Sequence, residues 1–204
     1  MKILFLLAAL LAPAEALAQA AIPTVSEVRA AGGTSPKLVS SPEDKGKEKL
    51  FAQGMQGEMR IVATIAADGS VTGVTVAASS RSPELDAFAV SLITRSQFEP
   101  ARNKAGDAVA VTAAIPVYLW KDSLGDGTLF SKTCGDFIID ADWHATAFPE
   151  EGPNKLRVWL LMTGAATAMP GGLTRPMPNY QKVYEACREK PSRKFSDVYM
   201  KLSK

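Results

Sequence analysis

The chain has 204 residues, of which 47% are hydrophobic and 22% are charged, and 23 basic and 21 acidic residues leave a formal charge of +2. A charge this well balanced offers no electrostatic footprint for nucleic acid or for an anionic membrane surface, so neither is an expected partner. The length allows one sizeable core or two small ones. We expect two, because a stretch rich in glycine and aspartate interrupts the pattern at residues 121–130.

The first twenty residues have the features of a secretory signal peptide. A lysine precedes the short apolar run 3–12, and Ala18–Ala20 offers a small-x-small cleavage pattern. Pro13 and Glu15 interrupt the apolar character, and a membrane-spanning helix needs about 20 apolar residues, so cleavage is favoured over retention as an anchor. We expect residues 1–20 to be removed and the mature chain to be exported, with no membrane span.

Residues 21–56 are predicted to be a polar lead-in or linker. They contain Gly32, Gly33 and the charged run Glu43–Lys49, which favour an irregular backbone. One or two helical turns are expected near Lys49–Gln56.

Residues 57–120 have the periodicity of a compact β-β-α-β module. Glu58–Ile65 places an apolar residue at every second position, which predicts a strand with one buried face. Asp68-Gly69 suits a tight hairpin turn, and the β-branched stretch Val71–Val76 predicts the second strand.

A helix and a third strand complete the module. Ser82-Pro83-Glu84 is a helix-start signal, and the residues behind it form one apolar helical face: Leu85, Phe88, Ala89 and Leu92. Alternation then resumes at Val109, Val111, Ala113, Ile115 and Val117. The predicted fold class is α+β, with a three-stranded antiparallel sheet followed by a small all-α domain.

Five short segments of this module resemble the C-terminal domains of TonB proteins in their order along the chain. They are Ile65–Val71, Val76–Ser80, Leu85-Asp86, Phe98–Ala101 and Ile115–Val117. The resemblance implies a periplasmic domain without enzymatic activity that binds a protein or extended peptide of the cell envelope, such as an outer-membrane receptor. It also implies that the partner docks on the third strand.

The expected binding surface is therefore a strand edge, carried by Val109, Val111, Ala113, Ile115 and Val117. If the third strand pairs with the first, its other edge faces outward and can accept an added strand. The alternative is an edge blunted against pairing, because Pro116 removes one donor there. The sequence leaves both interpretations open.

After the linker 121–130, residues 131–204 hold both cysteines of the chain, Cys134 and Cys187. In an exported protein an even pair predicts a disulfide, whereas a reactive thiol or a metal site is less well supported, because there is no CxxC motif and only one histidine. Helices are indicated by apolar stripes that include Trp159 and Leu160, Val183 and Cys187, and Phe195 and Tyr199; the stretch 169–179 is predicted to be a loop.

Short sequence segments around the cysteines are similar to those of HdeA-type periplasmic acid-stress proteins: Thr133–Phe137, Val183–Cys187, Pro191 and Phe195–Val198. This resemblance implies small helical proteins that are closed by one disulfide and hold other proteins in solution in acid. Residues 131–151 carry five acids and one base, and residues 182–204 carry seven bases and three acids. We therefore expect the carboxylates of the first segment to have lowered pKa values.

No catalytic, cofactor or metal motif is present in the sequence. His144, between acids and a tryptophan, is a candidate metal ligand, but a partly exposed helix end is favoured. Asp122 and Asp126 do not match a calcium loop. Two functions stay open: an adaptor that binds an extended peptide, and an acid-stress chaperone that acts through the C-terminal helices.

Overall fold

The computed structural model describes residues 21–43 and 45–203. The expected signal peptide lies outside the described residues. The helices are α1 Val25–Ala30, α2 Lys47–Phe51, α3 Pro83–Thr94, α4 Thr128–Ser131, α5 Cys134–Ala147, α6 Arg157–Ala168, α7 Tyr180–Glu189 and α8 Phe195–Leu202. The strands are β1 Lys37–Ser40, β2 Gly57–Ile65, β3 Val71–Ala78, β4 Gln97–Glu99, β5 Ala101–Arg102, β6 Ala108–Val109 and β7 Val111–Leu119.

The predicted β-β-α-β module is confirmed as β2, β3, α3 and β7. Its sheet has the order β3-β2-β7, and both pairings are antiparallel. Side chains alternate along β2 between buried and more exposed positions, from Gly57 to Ile65, as the sequence period predicts. The last strand therefore lies at one edge of the sheet and β3 at the other.

The hairpin between β2 and β3 turns at Gly69. Its φ of 82° lies in the left-handed region, and the Ala66 amide donates to the Ser70 carbonyl at 2.9 Å across the turn. A Cβ at position 69 would meet the Phe98 carbonyl oxygen, so glycine is required by space as well as by backbone angle. This close approach brings β4 against the hairpin.

Helix α3 covers one face of the sheet because its capping and its apolar stripe act together. The Ser82 hydroxyl accepts a hydrogen bond from the Leu85 amide at 3.3 Å, which fixes the start of the helix. Leu85, Ala89 and Ile93 are buried against Met59 and the other inward-facing residues of β2 and β7. The burial of this face holds the module together.

Residues 21–43 differ from the linker interpretation, because they contain α1 and β1. Val28 of α1 is buried with Phe98 and Val111 at the hairpin end of the sheet, and β1 pairs with β4. Thr24 and Glu27 form a capping box at the start of α1. The sequence suggested a linker because the region is rich in glycine and charge. The one buried valine of α1 gives too little periodicity to indicate a packed helix.

The C-terminal helices form a separate core around aromatic side chains. Phe137 of α5 stacks on Phe195 of α8 with ring centroids 4.4 Å apart, and Trp159 of α6 lies 5.0 Å from Tyr199. The buried face of α6 includes Val158 and Met162, whereas Leu160, which the sequence placed on an apolar stripe with Trp159, is exposed.

The predicted disulfide is present and joins α5 to α7. Cys134 and Cys187 are both fully buried in the helical core, and their sequence separation is 53 residues. The fold class is therefore α+β, with the sheet module followed by disulfide-closed helices. Within residues 21–43 and 45–203, no helix combines the length and the apolar character that a bilayer crossing requires.

A buried charge cluster joins the stretch 121–130 to the helices. Lys132 Nζ lies 2.8 Å from Asp122 Oδ1 and 2.7 Å from Asp140 Oδ2, and all three side chains are buried. Lys121 Nζ lies 3.4 Å from Asp140 Oδ1. The stretch 121–130 was expected to be a solvated linker. It is instead partly buried, because Asp122 pairs with Lys132 inside the protein.

Burial acts in opposite directions on the two signs of charge in this cluster. It raises the pKa of Asp140, although Lys132 and Lys121 favour the ionised form. Burial also acts to lower the pKa of Lys132, but Asp140 and Asp122 outweigh it, and the pKa is raised. The expectation of lowered carboxylate pKa values is therefore wrong for Asp140.

Candidate binding edge and groove

The outer edge of β7 is the surface on which an added strand would pair. Successive residues of a strand direct their N–H and C=O groups to opposite sides. The Thr112 amide donates outward to the Pro23 carbonyl at 2.8 Å, so Ala114, Pro116 and Tyr118 also face outward. Among the described residues, no backbone pairing occupies this edge beyond Thr112. Proline has no N–H, so Ala114 and Tyr118 supply the outward donors.

The five residues that the sequence assigned to the binding strand do not present their backbone groups at the outer edge of β7. Val111, Ala113 and Val117 are buried, Ile115 is half-buried, and the backbone groups of all four point toward β2. Val109 belongs to β6, which pairs with β5. The alternation that identified the strand also indicated the outward-facing residues, because these are the residues between the apolar ones.

The opposite edge of the sheet is formed by β3. Val76 stands opposite Ile61, whose N–H points toward β7 by the alternation set at Val111. The backbone of Val76 therefore faces away from the sheet, and its side chain is 38% exposed. The three-stranded sheet thus has two candidate edges, and within the part of the chain that the structure describes, the N-terminal segment pairs with β7 at Thr112 and not with β3.

A groove of about 380 Å³ lies beside the β7 edge, between the end of the sheet and the helices. Its aromatic walls are Tyr118 and Trp120 from the sheet end and Trp143 and Phe148 from the helical side. Tyr118 is 60% exposed, so this ring stands between the strand edge and the groove. The groove was not predicted, because its walls come from segments distant in sequence.

The groove contains basic side chains and donors without partners. The guanidinium of Arg157 stacks over the Trp120 ring at 4.3 Å, and Arg60 and Lys155 also line the groove. Among the described residues, neither Arg157 Nε nor the buried Gln56 Nε2 has a hydrogen-bond partner, although Gln56 Oε1 accepts from the Lys121 amide. Buried donors without acceptors are rare in folded proteins, so these two donors are candidates for contact with a ligand.

Acidic side chains at the groove belong to its rim. Glu58 and Glu151 line it, and Glu151 Oε2 lies 3.4 Å from His144 Nε2. His144 is buried rather than partly exposed; burial lowers its pKa, against the opposing effect of Glu151. Among the described residues, no group of three or more His, Cys, Asp or Glu side chains converges to hold a metal ion. His144 therefore acts as a wall of the groove.

Side-chain contacts connect the groove walls across the two parts of the chain. Arg81, which precedes α3, pairs with Glu150 and lies 4.9 Å from the Phe148 ring. The Glu150 pKa is lowered by hydrogen bonding from Arg81. Gly54 packs so closely against Ile139 and Trp143 of α5 that a Cβ there would overlap the Ile139 carbonyl oxygen. These contacts hold the sheet end and the helices on either side of the groove.

Comparison with known proteins gives matches to TonB C-terminal domains. The family model for the Gram-negative bacterial TonB protein C-terminal matches residues 48–118. The chain is also similar to the solution NMR structure of the Pseudomonas aeruginosa TonB CTD, with 22% identity over 44% of this chain and 89% of that chain and a TM-score of 0.36. No curated protein matches the chain.

The match to this family, whose members are periplasmic domains that interact with proteins, is limited to residues 48–118. The family is not an enzyme family. The match begins nine residues before the predicted start of the module at 57 and so includes most of α2.

Proposed function

We propose that this protein is exported to the periplasm and binds an extended segment of a cell-envelope protein by strand addition at the β7 edge. The supporting observation is the edge itself, where Ala114 and Tyr118 present outward donors that no described residue occupies. An outer-membrane receptor is the partner that the family suggests. Export would remove residues 1–20, and the intact mass of the periplasmic protein tests this; a chain that retains Met1 would contradict export with cleavage.

The edge can be tested by a proline that removes an outward donor without breaking the sheet. Ala114→Pro does this, since Pro116 shows that the outward positions of β7 accept proline. Val111→Pro is unsuitable, because the Val111 amide points into the ladder with Ile65. We expect Ala114→Pro to weaken capture of the partner from envelope extracts at least about tenfold.

The matched control is Val76→Pro, which alters the outward position of the opposite edge. This variant should capture the same partner as the wild-type chain does. Circular dichroism should show that both variants are folded. If a folded Ala114→Pro variant captures the partner normally, or if only Val76→Pro loses it, then strand addition at β7 is wrong.

A second function, acid-stress protection of other proteins, is favoured by a different observation. The helices have their own core, which is closed by the Cys134–Cys187 disulfide, so acid could release the helices from the sheet module without unfolding them completely. We expect the full chain to suppress light scattering by an unrelated client at about pH 2–3, where carboxylates are neutral. If the chain does not suppress scattering even at stoichiometric excess over the client, the protective function is wrong and only the adaptor function remains.

A further inference from the structure

We propose that the groove beside β7 binds a peptide carboxylate that is adjacent to an apolar or aromatic side chain. The inference depends on the proposed function, because the ligand is a segment of the partner protein. It goes beyond strand pairing, since it states which side-chain chemistry is recognised and assigns this recognition to residues from both the sheet and the helices.

The apolar half of the ligand follows from the walls. Tyr118, Trp120, Trp143 and Phe148 surround a volume of about 380 Å³, which accommodates one large side chain with its flanking backbone. Ring faces and edges give such a side chain stacking contacts on several sides. Because Tyr118 also belongs to the free edge, a peptide that pairs with β7 can reach the groove without leaving the sheet surface.

The carboxylate half follows from the donors. Arg157 Nε and Gln56 Nε2 have no acceptor among the described residues, and both side chains line the groove. Arg60 and Lys155 add positive charge. Of the two acids that also line the groove, Glu151 lies opposite His144 and Glu58 is exposed to solvent. A carboxylate supplies several acceptor positions and pairs with a guanidinium in a planar geometry that a neutral carbonyl does not match.

The stacking of Arg157 on Trp120 makes this guanidinium well suited to binding a carboxylate. The ring covers one face of the guanidinium at 4.3 Å and restricts its orientation, so less side-chain freedom is lost when a carboxylate binds. A C-terminal carboxylate and an acidic side chain share this chemistry. Probe peptides of each kind distinguish the two sources.

The test is a fluorescence titration of the full mature chain with three short peptides. The probes are acetyl-Val-Val-Phe with a free carboxylate, acetyl-Val-Glu-Phe-amide, and the neutral acetyl-Val-Gln-Phe-amide. Trp120 and Trp143 line the groove and report binding, whereas Trp159 lies in the helical core. At least one anionic peptide should bind about 10- to 100-fold more tightly than the neutral one. Equal binding of all three, or no binding, overturns the proposal.

The matched variants are Arg157→Gln and Arg188→Gln. Both arginines lie over an aromatic ring, but Arg188 is over Tyr184, outside the groove. Arg157→Gln should remove the preference for the anionic peptide, whereas Arg188→Gln should retain it. An anionic preference that survives in a folded Arg157→Gln variant overturns the proposal.

Failure of this inference can be separated from failure of strand addition. If the Ala114→Pro variant loses the partner while none of the peptides binds, strand addition stands and the groove proposal is wrong. If the anionic peptides bind while Ala114→Pro captures the partner normally, the groove proposal stands and strand addition is wrong.

Discussion

The sheet module and the C-terminal helices are held together in different ways. The module is stabilised by a repeated pattern, in which alternate residues of β2 and β7 are buried, under α3 at one end of the sheet and against Val28 and Phe98 at the other. In the helical part, stability is concentrated in a few singular features, namely the Cys134–Cys187 disulfide and the buried Lys132 with its two aspartates. A substitution within a repeated pattern should cost less unfolding free energy than the loss of a singular contact. The substitutions below are therefore ranked by the size of the expected loss.

The largest effect is expected from Lys132→Met. The substitution keeps much of the side-chain volume but leaves Asp122 and Asp140 facing each other in a buried site. Removing one partner of a buried ion pair costs about 3–5 kcal/mol, and urea unfolding at neutral pH measures it. The exposed Lys182→Met is the matched control. Adding Asp122→Asn and Asp140→Asn should restore part of the loss; a loss for Lys132→Met no larger than that of the control would contradict the singular role of Lys132.

The disulfide is expected to stabilise the helices and not the sheet. Replacing Cys134 and Cys187 by alanine opens a loop with a separation of 53 residues, and chain-entropy arithmetic gives a loss of about 4 kcal/mol. Hydrogen exchange should show lost protection in α5 and α7 while β2 and β7 keep theirs. Equal loss of protection in both parts would show that they unfold as one unit, and the comparison between them would fail.

A smaller effect is expected from Ser82→Ala at the start of α3. Loss of the hydroxyl that accepts from the Leu85 amide should cost about 1 kcal/mol of unfolding free energy. Ser91→Ala, at an exposed position within the same helix, is the control and should change stability little. If the two substitutions have the same effect, the cap does not determine where α3 begins.

The smallest effect concerns the pH dependence of two aspartates on α5. Burial acts to raise the pKa of Asp136, but hydrogen bonds from Thr133 and the charges of Lys121 and Lys132 outweigh it and lower the pKa. Its contribution to stability is therefore present above the unfolded value of about 4 and is lost as the pH falls through the lower folded value. Because the Asp136 side chain is 43% exposed, solvent screens these interactions, and Asp136→Asn should cost only about 0.2–1 kcal/mol at neutral pH and less in strong acid.

Asp140 should show the opposite sign, because its pKa is raised by burial. Its ionisation opposes folding, so the contribution of this side chain becomes more favourable as the pH falls from above the folded pKa to the unfolded value. Urea unfolding from neutral pH to about pH 3 for the wild type, Asp136→Asn and Asp140→Asn measures both signs. Parallel pH profiles for the two variants would contradict this assignment.

The charge contacts also revise the sequence-based hypothesis about acid. The acidic segment 131–151 was expected to be stabilised by the charge of the basic segment 182–204, and the disulfide does tie the two segments together. The carboxylates nevertheless pair with other cations: Asp136 and Asp140 pair with Lys121, Asp140 also pairs with Lys132, and Glu150 pairs with Arg81. Acid should therefore weaken the junction between the helices and the sheet module rather than separate two halves of the helical core.

The sequence by itself determined the module, the disulfide and the start of α3. These features depend on patterns within one segment or on a count: alternation in β2, the Asp68-Gly69 turn, the Ser82 cap, and two cysteines in a chain expected to be exported. Local backbone preference and side-chain period act over a few residues, so they can be recognised without a fold. The β-β-α-β order followed from the same patterns.

Only the tertiary structure decided which groups face outward and what lies between the two parts. The direction of the β7 backbone became clear from the bond between Thr112 and Pro23, which are far apart in sequence. The groove brings Gln56, Tyr118, Trp143 and Arg157 together, and no spacing in the chain connects them. Long-range packing places such residues side by side, and the free energy of that packing depends on the whole fold rather than on any local pattern.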